Sequence, residues 1–567
     1  MYEHLRAAWA ELTAPGAPFE VAELVVRGAP MRTWKTAAPS LREVWLSSTI
    51  HGELDHLVYE DDRWTFNEAH REAASVAAWL AEQGVGPGDH VAIAMRNYPE
   101  WMLAYWATVS MGATVVGMNA WWTGPELLYG VQDAEPKVMI CDTERLERFA
   151  PHRSQAPDCT LVGVRCRGAA SEDFVPWSAL RRHGGEMPDV QIDPDSDACV
   201  FYTSGTTGRP KGAQLTHRGC VANLLSLAFW NLAAGLAGRK AKGDAGDADA
   251  KAAPRLAQLV TTPLFHVTAN NCVAQSAAMA GGKLVHMYKW DPAEALRLIE
   301  RERVTHMSGV PMMSRELIAH PDFAETDTSS LKAIGGGGAQ LQPDLVTKLD
   351  ETVETARPST GYGMTETCGI ITAISADFFV DKPESVGPAS PVFEAKCVDD
   401  SGETVDPNQV GELWVRGAQV IRGYLNRPEA TTEGITDGWL HTGDIARIDA
   451  DGFIFIVDRA KDMVLRGGEN VYCAEVESAI FEHDDVAECA VFGVPDDRFG
   501  EEVAAAVAVR KDATVTGDQL REHCAARIAK YKIPRYIWLQ SELLPRNASG
   551  KFLKRQLRDE LEIGEAV

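Results

Sequence analysis

The chain has 567 residues, 45% hydrophobic and 24% charged, which is the mixture of a folded protein with room for several cores and not of a disordered or fibrous one. Its 55 Lys and Arg against 81 Asp and Glu give a formal charge of -26, and no basic run interleaves with aromatics; this excludes a nucleic-acid partner and broad attraction to anionic membrane, so any anionic ligand must be held by a local cluster of donors. Eleven cysteines scattered from Cys141 to Cys524 form no CxxC pair or metal-ligand spacing, and Met1–Ala10 lacks a secretory plan, which together predict reduced thiols and a cytoplasmic location.

From about Phe66 to Gly309 short β-rich runs alternate with helical patterns. The runs are His90–Met95, Ala113–Met118, Lys137–Asp142, Ala198–Tyr202, Leu259–Thr262, Lys283–Met287 and Thr305–Ser308. Between them Phe66–Gln83, Glu100–Ser110 and Pro292–Arg301 are periodic and long enough to be crossover helices on a largely parallel sheet, predicting layered α/β subdomains. Gly219–Gly238 is uncharged and nearly long enough to span a bilayer. It contains Asn223, Ser226 and Asn231, and the expectation is a buried helix and no transmembrane segment.

Arg239–Pro254 is rich in Ala, Gly, Asp and Lys and reads as an exposed, mobile loop. From about Pro391 the strands become closely spaced (Glu394–Asp399, Glu412–Arg416, Phe453–Val457) with turns such as Asp451-Gly452, a β-rich subdomain. After Asp458-Arg459 a charged passage leads into a small unit with helices near Ala474–His483 and Thr516–Ala529. The expected organisation is a large N-terminal region over 1–458, a hinge at 459–461 and a small mobile C-terminal α+β domain over 462–567.

The strongest local signal is Tyr202-Thr-Ser-Gly-Thr-Thr-Gly-Arg-Pro-Lys-Gly212, directly after an apolar run. Small hydroxyl residues and glycines (Thr203, Ser204, Gly205, Thr206, Thr207, Gly208) let backbone N–H groups close around phosphate oxygens, and Lys211 adds positive charge. It is not a Walker A loop, because Pro210-Lys211-Gly212 stands where Gly-Lys-Ser/Thr is required. An ordinary Gly-rich connection is the bland alternative.

This run resembles the phosphate loop of the adenylate-forming superfamily, and further motifs follow in the expected order: Leu264-Phe-His-Val-Thr-Ala-Asn-Asn271, Gly361-Tyr-Gly-Met-Thr-Glu-Thr367, Gly411-Glu-Leu-Trp-Val-Arg-Gly417, Trp439-Leu-His-Thr-Gly-Asp444, Asp458-Arg-Ala-Lys-Asp462, Arg466-Gly-Gly-Glu-Asn470 and Ser549-Gly-Lys551. The resemblance spans roughly Thr65–Lys551 and implies an AMP-forming acid–thiol ligase using ATP, Mg2+ and coenzyme A on a small-molecule carboxylic acid. Two anions must meet when a carboxylate attacks the α-phosphate of ATP, so cations are needed there.

In the family's terms, Glu366 and Thr203 are the Mg-binding pair and Thr365 contacts the α-phosphate. Gly338, Ala339 and Gln340 belong to the adenine segment, Gly361, Tyr362, Gly363 and Met364 flank the base, Asp444 takes the ribose hydroxyls, and Arg459 reaches the nucleotide. Lys551 would neutralise the attacking carboxylate and the α-phosphate. Lys461 aligns with the hinge about which the C-terminal domain rotates, and Arg466, Gly467, Gly468 and Glu469 with the coenzyme A channel.

His266, Val310 and Gly337 resemble the acyl pocket, whose apolar walls favour a fatty, branched or aromatic acid; for His266 a satisfied core role is nearly as good a reading. Two departures stand out: relatives commonly carry Pro where Cys473 stands and Thr where Asn547 stands. A ligase that loads a carrier protein, a non-catalytic nucleotide- or acyl-binding protein, and a homodimer all stay open.

Overall fold

A computed structural model describes residues 2–166, 173–203, 209–241, 243, 254–337, 341, 343–353, 355–467, 469–511, 513–547 and 550–567. Ser204, Gly205, Thr206, Thr207, Gly208, Gly338, Ala339, Gln340, Gly468 and Ser549 lie outside the described residues.

The expected alternation builds two parallel-cored sheets. In the first, the spatial order is Lys211–Thr216, Asp197–Thr203, Thr114–Gly117, His90–Ala94, Val138–Asp142, Thr160–Val164, Val175–Pro176. In the second it is Gly369–Ser375, Arg357–Met364, Ala333–Gly336, His306–Gly309, Ala257–Val260, Lys283–His286, Asp55–Tyr59, Asp62–Thr65. Each parallel core has an antiparallel strand at the edge that bears a motif: Lys211–Thr216 follows the glycine-rich run and pairs back on Asp197–Thr203, and Gly369–Ser375 returns from the Thr365–Thr367 turn. The strands are buried on both faces, as a sheet covered by crossover helices requires, and helix Pro99–Ser110 between them is buried at every position.

Helix His217–Ala241 is the one described helix apolar and long enough to cross a membrane, yet Cys220, Val221, Leu224, Phe229 and Ala233 are core residues. Its polar residues are anchors: Asn223 accepts from the Ile370 amide at 2.9 Å, and Ser226 donates to Gln419 at 2.9 Å. The helix extends through Arg239–Ala241, which the composition assigns to a loop; Ala, Arg and Lys are strong helix formers and continue it. Most of the remaining loop lies outside the described residues. All eleven cysteines are free, nine of them buried.

The β-rich part is a six-stranded antiparallel sheet that includes Trp439–Ile448 paired with Phe453–Arg459. Beyond it Val464–Arg466, Glu469–Val471, Val486–Asp496, Gly500–Val509 and Tyr536–Gln540 form a separate five-stranded sheet with its own core, including Val476, Ile480, Val491, Val503, Val507 and Ile537. Helices Cys473–Phe481 and Gly517–Ala525 belong to this unit, giving the large α/β region and small α+β unit expected.

Candidate active site

The site forms where the motif-bearing edges of the sheets meet the small C-terminal unit. Arg357–Met364 ends at a single 3-10 turn, Thr365–Thr367, after which Cys368 takes a left-handed φ of 55 and Gly369 a φ of 144. A Cβ on Gly369 would sit 2.1 Å from Asn223 Oδ1, so this sharp reversal needs glycine. It presents Glu366 beside the large region's Tyr424, whose hydroxyl donates to Glu366 Oε1 at 3.0 Å, while the Glu366 carbonyl accepts from the Ile421 amide at 3.0 Å. Burial and the Glu366 charge push the Tyr424 hydroxyl well above its ordinary pKa, which keeps it a donor. Lys211 lies over the Tyr424 ring at 5.4 Å, and Thr203 ends the strand that leads into the glycine-rich run.

Tyr362 donates from its hydroxyl to Asp444 Oδ2 at 2.5 Å, and Arg459 lies 3.5 Å from Asp444 Oδ1. Register explains the second contact, since Asp444 and Arg459 are directly paired on adjacent strands. Asp444 is 5% exposed; burial raises its pKa against the opposing pull of Arg459 and Tyr362. Gly361 and Gly363 bring the strand close to Gly369–Ser375, and a Cβ on Gly363 would come within 2.0 Å of the Gly369 carbonyl oxygen. Met364 packs against the β-rich core, and Thr365 opens the turn that holds Glu366.

Lys551 enters this cluster from the C-terminal unit. Burial pushes its ammonium pKa down to about 8, helped by the nearby Arg459 cation and opposed by Asp444, Glu366 and Asp462. Its loop is braced. The Lys551 amide donates to Asn547 Oδ1 at 3.0 Å, the Lys551 carbonyl accepts from the Asn547 amide at 2.9 Å, and Arg546 bonds Glu488 at 2.7 Å and lies over Phe552 at 4.0 Å. Asn547, a departure in the motif, thus fixes the lysine's backbone from both sides. Gly550, with φ +81, packs against Val310: a Cβ there would approach Val310 Cγ2 to 2.8 Å.

His266 sits beside this loop. Burial and the Lys551 charge lower its pKa to about 4, and its Nε2 is buried without a hydrogen-bond partner among the described residues, which does not fit a satisfied core histidine. It opens a segment that continues as a π-helix, Thr268–Ala274. A Cβ on Gly337 would lie 3.6 Å from Thr268 Cγ2, so His266, Val310 and Gly337 fall in one neighbourhood. Lys461 is exposed in the turn where the Asp462 and Met463 amides donate to the Arg459 carbonyl at 3.0 and 3.1 Å. Arg466 is engaged elsewhere, 3.0 Å from Glu502 and over Phe499 at 4.1 Å; Gly467 donates to the Phe499 carbonyl, and Glu469 pairs with Arg466 and is exposed.

Tyr424, Asp462 and the Glu488–Arg546 brace were not legible as site residues. For Tyr424 the usable signal was the Gly423-Tyr424-Leu425-Asn426-Arg427-Pro428 run, a turn signal whose aromatic lands on Glu366.

The arrangement is that of a two-part α/β enzyme: a buried carboxylate beside a guanidinium, a second carboxylate held by a tyrosine hydroxyl, and a lysine supplied by a second unit. The chain belongs to the AMP-binding enzyme family, whose model matches residues 47–425, with the AMP-binding enzyme C-terminal domain matching 475–551. It is similar to a feruloyl-CoA synthase of an Amycolatopsis species, 36% identical over 495 residues, 87% of this chain and 93% of that one. It is also similar to a long-chain-fatty-acid–CoA ligase of Bacillus subtilis (strain 168), 31% identical over 527 residues, 88% of this chain and 90% of that one. Among solved structures it matches ATP-bound MatB from Rhodopseudomonas palustris at 29% identity and a TM-score of 0.79, covering 92% of this chain and 98% of that one.

Proposed function

We propose that this enzyme activates a hydrophobic carboxylic acid with ATP as its acyl-adenylate and transfers the acyl group to coenzyme A. The observation that carries the reading is Lys551, brought by the small unit close enough to buried Asp444, half-buried Glu366 and exposed Arg459 of the large one for their charges to act on its ammonium.

In the first step a carboxylate oxygen bonds to the α-phosphorus and the bond to pyrophosphate breaks. Lys551, fixed through Asn547, places its ammonium where the attacking carboxylate and the α-phosphate converge, and burial makes that charge count for more than it would in water. Asp444 accepts from the ribose hydroxyls, with Tyr362 alongside the base and Arg459 directed to the phosphates. Glu366 and Thr203 supply carboxylate and hydroxyl oxygens, a donor set that suits Mg2+ shared with substrate phosphates; a bound Mg2+ would offset charge on the departing pyrophosphate.

In the second step the thiol sulfur of coenzyme A attacks the acyl carbon, AMP leaves, and the thiol proton passes to solvent. Lys461 is the hinge for the rotation between steps, and Arg466, Gly467 and Glu469 line the thiol's approach after it. The acid lies against His266, Val310 and Gly337, and the names of the relatives, feruloyl and long-chain fatty acyl, favour an aryl or fatty acid.

The test incubates protein, MgATP and a panel of aryl and fatty acids with and without coenzyme A, following pyrophosphate and thioester by mass spectrometry. Acyl-CoA formation that falls by about a hundredfold or more in Lys551→Ala is expected. Pyrophosphate and acyl-AMP without thioester would replace coenzyme A with a carrier protein as acceptor.

A further inference from the structure

Cys473 bonds to both flanks of the proposed hinge. Its amide donates to the carboxylate of Asp458, the penultimate residue of the last strand of the large region, and its thiol donates to the carbonyl of Asp462 at 2.9 Å, just beyond the hinge. The contact is also a helix cap. Cys473 opens helix Cys473–Phe481 of the small unit, and the residue before it, Tyr472, provides no side-chain cap, so a carboxylate from the large region satisfies a first-turn amide of a helix in the small one.

The surroundings reinforce the junction. Lys554, at the start of the helix that follows the Lys551 loop, pairs with Glu477 of the capped helix at 2.8 Å and lies near enough to Asp458 to act on its charge. Asp458 and Cys473 are both buried, at 6% and 0% exposure. One junction therefore joins the large region, the first helix of the small unit and the segment bearing Lys551.

We infer that Asp458 and Cys473 form an interdomain latch that holds the small unit in the arrangement delivering Lys551 to the nucleotide site, and that the latch opens for thioester formation. Rotation about Lys461 would carry Cys473 away from Asp458, so the latch favours the first half-reaction at the expense of the second. These are positioning residues. The inference rests on the two-step reading above.

The test compares Cys473→Pro, which removes both donors, Cys473→Ala, which keeps the amide, and Cys473→Ser, which keeps both. Acyl-adenylate formation is followed as pyrophosphate release without coenzyme A, and thioester formation is followed from preformed acyl-adenylate. Cys473→Pro should slow the first about tenfold and leave the second unchanged or faster, with Ala between and Ser near wild type. Equal slowing of both steps, or of neither, overturns the latch.

Hydrogen exchange over residues 458–473 gives a readout that needs no turnover. Exchange at the 473 amide should quicken about tenfold in Asp458→Ala, and unchanged exchange would sink the latch even in a well-folded variant. A wild-type protein inactive on every acid, with that exchange difference intact, would instead remove the ligase reading and keep the latch.

Discussion

In the role proposed for it, Lys551 combines two opposed requirements: it must be desolvated to act strongly and charged to act at all. Burial lowers its pKa to about 8, so the fraction of protein carrying the ammonium falls as pH rises through that value. The rate of acyl-adenylate formation at low substrate should therefore be level below about pH 7 on the Lys551 side and decline tenfold per unit above about 8, which a pH profile of pyrophosphate release measures. A Lys551→Arg variant should lose the decline along with most of the rate, because its guanidinium stays charged throughout. The chemical type of this residue was legible from Ser549-Gly-Lys551. Its environment was not, because Asp444, Arg459 and Glu366 come from strands and a turn more than 90 positions away in the chain. The bond from Tyr424 to Glu366 was hidden for the same reason, and so was Arg466's pairing with Glu502, since a local motif carries no sign of its tertiary partner.

Among the elements, the turn at Gly550 and Lys551 is the one whose shape does most for the proposed site. Gly550 has the left-handed φ of +81 and no room for a Cβ next to Val310, so Gly550→Ala meets both backbone strain, roughly 1–2 kcal/mol, and a clash. Pyrophosphate release should fall about tenfold or more in this variant, while its melting temperature drops by only several degrees, because the unit's own core around Ile537 and Val503 is untouched. Hydrophobic periodicity reported the central strands and crossover helices of both sheets well, because buried parallel strands are continuous apolar runs. The edge strands Lys211–Thr216 and Gly369–Ser375 escaped it: their apolar residues are interrupted by glycine, Thr, Gln or Ser, and they are defined by the turns that precede them.

For the whole molecule, acid should be destabilising in a defined window. Burial lowers His56 and His286 to about 3 and His217 and His266 to about 4, against about 6.5 when unfolded. The unfolded chain then binds more protons between those values, so this contribution is complete above about pH 6.5 and is lost as pH falls toward 4. At pH 5 each ring would cost about 2 kcal/mol relative to pH 7. Buried Asp458, raised to about 6, and Glu100, Asp197 and Asp444, also raised by burial, pull the other way over part of the range, but the rings, with His70 likewise lowered to about 4, are shifted further and outweigh them. The urea midpoint should drop between pH 7 and pH 5, and a midpoint that holds or rises would contradict the burial of these rings.

The seat of Gly550 on Val310 makes one surface serve two partners if Val310 lines the acid pocket as proposed above. An acid that fits leaves that valine in place and lets the lysine loop close; one that is too bulky pushes it outward and props the loop open. Such an enzyme would judge its acid by speed of closure as well as by tightness of grip: an ill-fitting acid can occupy the pocket and still wait for a lysine that does not arrive.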